Sequence, residues 1–120
     1  MVTARFYNIS FDDGIKVNPE SEKITIEISG HSGFGDKGTD ITCAGISSLA
    51  QTVILTITRL IKIQQNVIKK DGLLKTEIIL KETDTEQNSK LHLILETLLI
   101  GLLEINREYP GSVKIEFVTD

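Results

Sequence analysis

Residues 41–81 read ITCAGISSLAQTVILTITRLIKIQQNVIKKDGLLKTEIILK and contain the clearest secondary-structure patterns in the chain. In its first part, apolar residues recur every three or four positions, which predicts a helix from about Ile41 to about Ile61. In its second part, apolar and polar residues alternate around Asp71-Gly72, which is the strongest sequence signal for a tight hairpin. The predicted strands are Ile63–Lys69 and Leu74–Lys81. A helix followed by an antiparallel hairpin excludes the repeating strand–helix–strand units of a parallel sheet.

The sequence on either side adds two strands before this stretch and a helix after it. Val2–Phe11 and Lys23–Ser29 alternate in the manner of strands, and the turn signal Asp12-Asp13-Gly14 lies between them. Leu91–Tyr109 predicts a second helix, and residues 113–118 predict a short last strand. We therefore expect an α+β fold in which two helices pack on one mainly antiparallel sheet of four to five strands, in the order ββαββα with a short strand at the end.

Length, composition and charge limit the classes of protein that fit. The chain has 120 residues, of which 40% are hydrophobic and 25% are charged. These values are typical of one folded domain, residues 1–120, and exclude collagen-like and disordered chains. The net charge of −4 argues against an extended nucleic-acid-binding surface, because such surfaces depend on clustered Lys and Arg. We expect no direct nucleic-acid partner.

The cysteine content and the apolar stretches indicate the compartment. Cys43 is the only cysteine, so no internal disulfide can form, and this fits a reducing environment. The N-terminal residues lack the basic and apolar regions of a signal peptide. The apolar stretch Leu91–Ile105 is interrupted by His92, Glu96 and Glu104 and is too short to span a bilayer. We expect a cytoplasmic protein without a membrane partner.

The second predicted helix is apolar over most of its circumference. Leu93, Ile100 and Leu103 lie outside the stripe that its other apolar residues form. A helix of this kind is buried on more than one side, and a chain of this length has little else with which to cover the second side. We expect a homodimer through helix two.

Reactive side chains concentrate in residues 30–48, where a glycine-rich loop, Gly30–Asp40, leads into the first helix. A loop of this kind suggests a phosphate site, but no lysine follows Gly38, as a Walker motif requires, and the strand–helix–strand continuation of a dinucleotide site is absent. His31, Asp36, Asp40 and Cys43 are potential metal ligands, but they lack the paired short spacing of zinc sites. We therefore expect neither a metal nor a cofactor.

The third interpretation is a cysteine nucleophile with a histidine base. With Asp40 as the N-cap, Cys43 lies in the first helical turn, where unpaired N–H groups stabilise a thiolate and a developing oxyanion. His31 could fold back as base and then as acid toward the leaving amine. An ordinary interpretation remains open: Cys43 is in register with Ile46 and the other core residues of its helix, and His31 is a polar loop residue.

Residues 30–47, GHSGFGDKGTDITCAGIS, resemble the signature of the ribosomal-processing cysteine protease family, Prp. The resemblance continues in LETLLIGL at residues 95–102 and EYP at residues 108–110. Ser32, Thr39 and Gly45 depart from residues that are common in the family, and none of the three removes a reacting group.

The resemblance implies a bacterial, cytoplasmic, homodimeric cysteine protease that needs no cofactor. Its members remove the N-terminal extension of ribosomal protein L twenty-seven by cutting after a phenylalanine. Carried over by position, Cys43 is the nucleophile and His31 is the general base and acid, while Gly30, Asp40 and Ser47 match the other motif positions. The alternative is a noncatalytic, ribosome-associated protein-binding module in which Cys43 is structural.

Overall fold

A mixed sheet of five strands, with two helices on one face, forms the framework of the protein. The computed structural model describes residues 1–18, 20–30 and 41–119. The strands are β1 (Val2–Tyr7), β2 (Ile9–Phe11), β3 (Ile15–Val17), β4 (Lys23–Gly30), β5 (Gln65–Lys70), β6 (Leu73–Ile79) and β7 (Val113–Val118), and the helices are α1 (Ile41–Thr56), which continues into a π-helical turn (Ile57–Ile61), and α2 (Thr85–Glu108).

The strand order β5-β6-β4-β1-β7 confirms the predicted α+β class. The pairs β5–β6, β6–β4 and β4–β1 are antiparallel, with Val2 opposite Gly30 at one end of the β1–β4 ladder. The last strand pairs parallel to β1, so the sheet is mixed rather than purely antiparallel. The hairpin predicted around Asp71-Gly72 is confirmed as β5–β6, with Lys70 opposite Leu73.

The predicted first strand is divided in two. Asn8 adopts a left-handed backbone conformation with φ of 64°, which Asn tolerates better than most residues and which ends β1. The chain then forms a separate two-stranded ribbon, β2–β3, around the turn of Asp13 and Gly14. Buried Ile9 and Ile15 attach this ribbon to the core. The predicted turn is therefore present, but it joins two shorter strands outside the main sheet.

Helix α2 begins at Thr85, well before the predicted start at Leu91. Asp84 forms a capping box, in which its carboxylate accepts a hydrogen bond from the Gln87 backbone N–H and the Gln87 side chain accepts from the Asp84 backbone N–H. These two bonds satisfy N–H groups that a helix start otherwise leaves unpaired. The polar stretch before Leu91 is therefore the first part of the helix.

The two helices run antiparallel in one layer and approach each other closely. Gly45 faces Ile105, and Gly101 faces Leu49 so closely that a Cβ at Gly101 would lie 2.4 Å from a Leu49 methyl carbon. Their buried faces form one core with the sheet, built mainly from Ile, Leu and Val, with Phe6 stacked on Phe117. The opposite face of the sheet carries cross-strand ion pairs, including Arg5–Glu27 and Lys23–Glu77.

Residues 41–61 are long and apolar enough to cross a membrane by length and composition. Core helices of α+β domains share these properties. In this structure Ile46, Val53 and Ile57 of that segment are buried in the core shared with the sheet.

Candidate active site

A cavity of about 180 Å³ lies where the first turns of α1 meet the sheet and the β5–β6 hairpin. Its lining residues are Val2, Ile28, Gly30, Cys43, Ile46, Ser47, Ala50, Gln51, Lys69, Lys70, Gly72, Leu73 and Leu74. The floor is apolar, whereas the charged lining side chains, among the residues that the structure describes, are two lysines. The cavity thus combines an apolar surface with a positively charged edge.

Cys43 is the third residue of α1 and lies in its first turn, as the sequence predicts. Its side chain is half-buried, packs against the core and also lines the cavity. Cys43 therefore combines both features that the sequence left open: it contacts the core and it faces a space that a ligand can enter. At the start of a helix, backbone N–H groups point outward and favour negative charge.

Ser47 lies one helical turn after Cys43 and lines the same cavity. The Nε2 atom of Gln51 donates to Ser47 Oγ at 2.7 Å, and Lys69 Nζ donates to Gln51 Oε1 at 2.9 Å. These bonds connect α1 with β5. A second connection lies farther along the same pair of elements, where Gln65 Nε2 donates to the Ile54 carbonyl at 2.8 Å.

Gly30 ends β4 at the edge of the cavity, and its backbone requires glycine. Its φ is +96°, and a Cβ there would lie 2.7 Å from the carbonyl oxygen of Met1. Its N–H donates to the Gly72 carbonyl at 2.9 Å, which joins β4 to the hairpin turn. The sequence gives Gly30 only as a motif position, and the structure adds this structural reason for it.

The structure brings together three of the five predicted site residues, because Gly30, Cys43 and Ser47 line one cavity. His31 and Asp40, with the glycine-rich loop, lie outside the described residues. Among the residues that are described, no group of three or more His, Cys, Asp or Glu side chains is arranged to hold a metal ion.

The sequence does not indicate Gln51, Lys69 or Lys70 as cavity residues. Gln51 carries a usable signal, since positions 43, 47 and 51 are four residues apart and share one face of a helix. The lysines have no such local signal. They reach the cavity only because the hairpin folds back beside α1.

Comparison with known proteins identifies the family. The sequence model of the family described as cysteine protease Prp matches residues 13–114. The chain belongs to this family. It is accordingly a cysteine protease, a peptide hydrolase. A Staphylococcus aureus protein called ribosomal processing cysteine protease Prp is 28% identical to it over 103 residues, which are 86% of this chain and 94% of that protein.

Solved structures of the S. aureus protease share the fold. Prp from S. aureus in complex with a covalently linked product peptide has a TM-score of 0.74 at 22% identity, over 98% of this chain and 99% of that chain. The same protease in complex with a substrate peptide has a TM-score of 0.66 at 25% identity, over the same shares of the two chains. The two helices on a mixed sheet described above are therefore the architecture of this family.

Proposed function

We propose that this protein is an endopeptidase in which Cys43 is the nucleophile and His31 is the general base and acid. The observation that carries the proposal is the position of Cys43 in the first turn of α1 and at the wall of a cavity with an apolar floor. Membership of a cysteine protease family supports it, since Cys43 is the only cysteine in the chain. His31 directly follows Gly30, a cavity residue, in the sequence.

The mechanism needs no cofactor. The Cys43 thiolate attacks the scissile carbonyl carbon, and the carbonyl oxygen takes up the negative charge beside the N–H groups of the first turn of α1. His31 gives its proton to the amine as the C–N bond breaks, which leaves a thioester. His31 then takes a proton from water as the water attacks the thioester, which releases the carboxylate product and regenerates the Cys43 sulfur.

The proposed substrate is the N-terminal segment of ribosomal protein L twenty-seven, cut after a phenylalanine. The similar S. aureus protein is named for ribosomal processing, and a solved structure of that protease holds a substrate peptide. The apolar floor, which includes Ile28, Ile46 and Leu74, suits a large hydrophobic side chain. Asp40 would cap α1 or orient His31.

The direct test of this function is incubation with peptides that contain an internal phenylalanine, including the N-terminus of the organism's own L twenty-seven. We expect cleavage after phenylalanine by the wild type and none by Cys43→Ala or His31→Ala. Cys43→Ala is a small change at a half-buried position, so the variant should fold. Circular dichroism can verify its folding. If no such peptide is cut by the wild type, or if Cys43→Ala cuts as well as the wild type, the proposal is wrong.

The sequence also left open a noncatalytic module that binds a ribosomal protein, with Cys43 as a core residue. The partial burial of Cys43 against the core is its one support, and membership of a cysteine protease family counts against it. Alkylation separates the two: a nucleophilic Cys43 reacts rapidly with iodoacetamide near neutral pH, and more slowly in His31→Ala. A structural Cys43 would react only after denaturation.

We further propose that the protein acts in the cytoplasm as a single-domain chain that pairs through α2. Leu93, Ile100 and Leu103 of α2 are 71%, 64% and 51% exposed. They lie on the side of the helix away from its buried residues, which are Leu91, Leu95, Leu98, Leu99 and Leu102. Large apolar side chains that share one exposed helix face are typical of an interface, and a second copy of the chain offers the same face.

A further inference from the structure

The polar side of the cavity is a chain of hydrogen bonds that ends one helical turn from Cys43. Lys69 Nζ donates to Gln51 Oε1 at 2.9 Å, and Gln51 Nε2 donates to Ser47 Oγ at 2.7 Å. These three residues line the cavity, and so does Cys43. The chain crosses from the sheet to the helix that carries the nucleophile, so it has a position from which to act on the reaction.

Lysine fixes the direction of this chain. An ammonium group has only donors, so it must bind the oxygen end of the Gln51 amide. The NH₂ end is then turned toward Ser47, and the hydroxyl oxygen of Ser47 becomes the acceptor. Ser47 can then donate its hydroxyl hydrogen to an acceptor other than Gln51. Without the lysine, Gln51 could turn over, accept from Ser47 and take that hydrogen for itself.

We propose that Gln51 and Lys69 are positioning residues that make Ser47 a hydrogen-bond donor inside the cavity. The Ser47 hydrogen is then directed at negative charge beside it, on the Cys43 thiolate or on the substrate oxygen. This inference rests on the proposed function, in which Cys43 attacks a peptide carbonyl. The lysine charge strengthens the effect, because each bond in a charge-assisted chain polarises the next one.

The rival explanation is that Lys69 and Gln51 only hold the hairpin against α1, in the way that Gln65 does with Ile54. Substitution of Gln51 by glutamate separates the two roles. A carboxylate keeps the length of the side chain and binds Lys69 at least as well, so a structural tie survives. The carboxylate cannot donate to Ser47, however, and it accepts the hydroxyl hydrogen instead.

The experiment is a double-mutant cycle on peptide cleavage with wild type, Gln51→Glu, Ser47→Ala and the double variant. We expect Gln51→Glu to lower kcat about tenfold, with KM within about twofold and an unchanged or higher Tm, as for loss of an interaction made in the transition state. In the Ser47→Ala background, Gln51→Glu should have no further effect. Lys69→Met should also lower kcat, whereas Lys69→Arg, which keeps the positive charge, should have a kcat near the wild-type value.

Ser48→Glu is the matched charge control, because it adds a carboxylate on α1 outside the hydrogen-bond chain and should leave kcat near the wild-type value. Wild-type kcat in Gln51→Glu would overturn the proposal, and so would an effect of equal size with and without Ser47. The same cycle on the iodoacetamide reaction of Cys43 needs no substrate. If the wild type is alkylated but cuts no peptide, the proposed function fails, and the alkylation cycle alone decides whether Ser47 mediates the effect of Gln51.

Discussion

Gly30 shows how one residue shapes the edge of the cavity. It ends β4 with a positive φ, and the oxygen of Met1 occupies the space that a side chain would need. Met1 cannot easily move away, because the next residue, Val2, is held by its place opposite Gly30 and by a hydrogen bond to the Ser112 carbonyl. A side chain at position 30 would therefore disturb the start of β1 and, with it, the floor of the cavity.

Gly30→Ala should lower the free energy of unfolding by about 2–4 kcal/mol, the sum of a left-handed backbone cost and a steric cost. Gly111→Ala is the matched control, because Gly111 also has a positive φ, but a Cβ added there would have no neighbouring atom within 4 Å. The control should cost about 1 kcal/mol, from the backbone alone. Urea unfolding measures both. Equal losses in the two variants would mean that the contact with Met1 has no effect.

The position of Cys43 could be predicted from the sequence because it depends on local signals, the start of a helical pattern after a glycine-rich loop. The roles of Gln51 and Lys69 could not, because their bond joins residues that are brought together by packing of the hairpin on α1. For the same reason, Gly30 could be recognised as part of a motif but not as a residue that faces Met1.

The helices and strands can be predicted from the sequence where each one has a clear pattern of apolar and polar residues. The β5–β6 hairpin and α1 follow directly from alternation and helical spacing. The alternation pattern does not reveal the break at Asn8, because the run of residues continues to alternate through it. The Asn8 N–H donates to the carbonyl of Val118 in the neighbouring strand β7, a residue near the other end of the chain, and no local pattern indicates such a bond. The apolar pattern does not reveal the early start of α2, because the first turns of this helix are polar.

The capping box of α2 predicts a measurable loss of stability. Asp84→Ala removes the acceptor for the Gln87 N–H and should lower the free energy of unfolding by about 1 kcal/mol. Asp84→Asn keeps a side-chain oxygen and should lose only a fraction of that amount. Urea unfolding of the three proteins compares them. If Asn is as damaging as Ala, the side-chain oxygen at this position does not cap the helix.

The ion pair between β4 and β6 predicts a pH effect. The hydrogen bond from Lys23, together with its positive charge, holds the pKa of Glu77 below its ordinary value of 4.5. Because the pKa is lowered in the folded state, this pair stabilises the fold above pH 4.5 and the contribution is lost as the pH falls through the lowered pKa.

Lys23→Met should therefore raise the pKa of Glu77 toward 4.5, which carboxyl NMR titration can follow. Lys75→Met is the control, since the charge of Lys75 is the smallest of the causes that lower the pKa of Glu77. A larger shift in the Lys75 variant than in the Lys23 variant would contradict this assignment.

The two sides of the fold differ in their chemistry. The open face of the sheet carries cross-strand ion pairs, whereas the outer side of the helix layer exposes large apolar residues, including Leu55, Leu60, Leu93 and Ile100. Charged surfaces remain in water at little cost, and contiguous apolar surfaces favour association. The asymmetry is consistent with the proposed pairing through α2.

If the chain pairs through α2 as proposed, Ile100→Glu should convert the proposed dimer to a monomer in sedimentation equilibrium. The control is Val67→Glu on the edge strand β5, where the native side chain is 47% exposed and lies away from α2. This variant should remain dimeric. A wild type that sediments as a monomer at micromolar concentration, or an Ile100→Glu variant that stays dimeric, would contradict the proposed interface.

In the proposed mechanism, Cys43 forms a covalent bond with the peptide it cuts. Rapid mixing of the protein with a phenylalanine-containing peptide, followed by an acid quench and mass spectrometry, measures this bond directly. We expect a transient mass gain equal to the acyl fragment before the cut, located on Cys43 and absent from Cys43→Ala. A fragment located on another residue, or undiminished cleavage by Cys43→Ala, would contradict it.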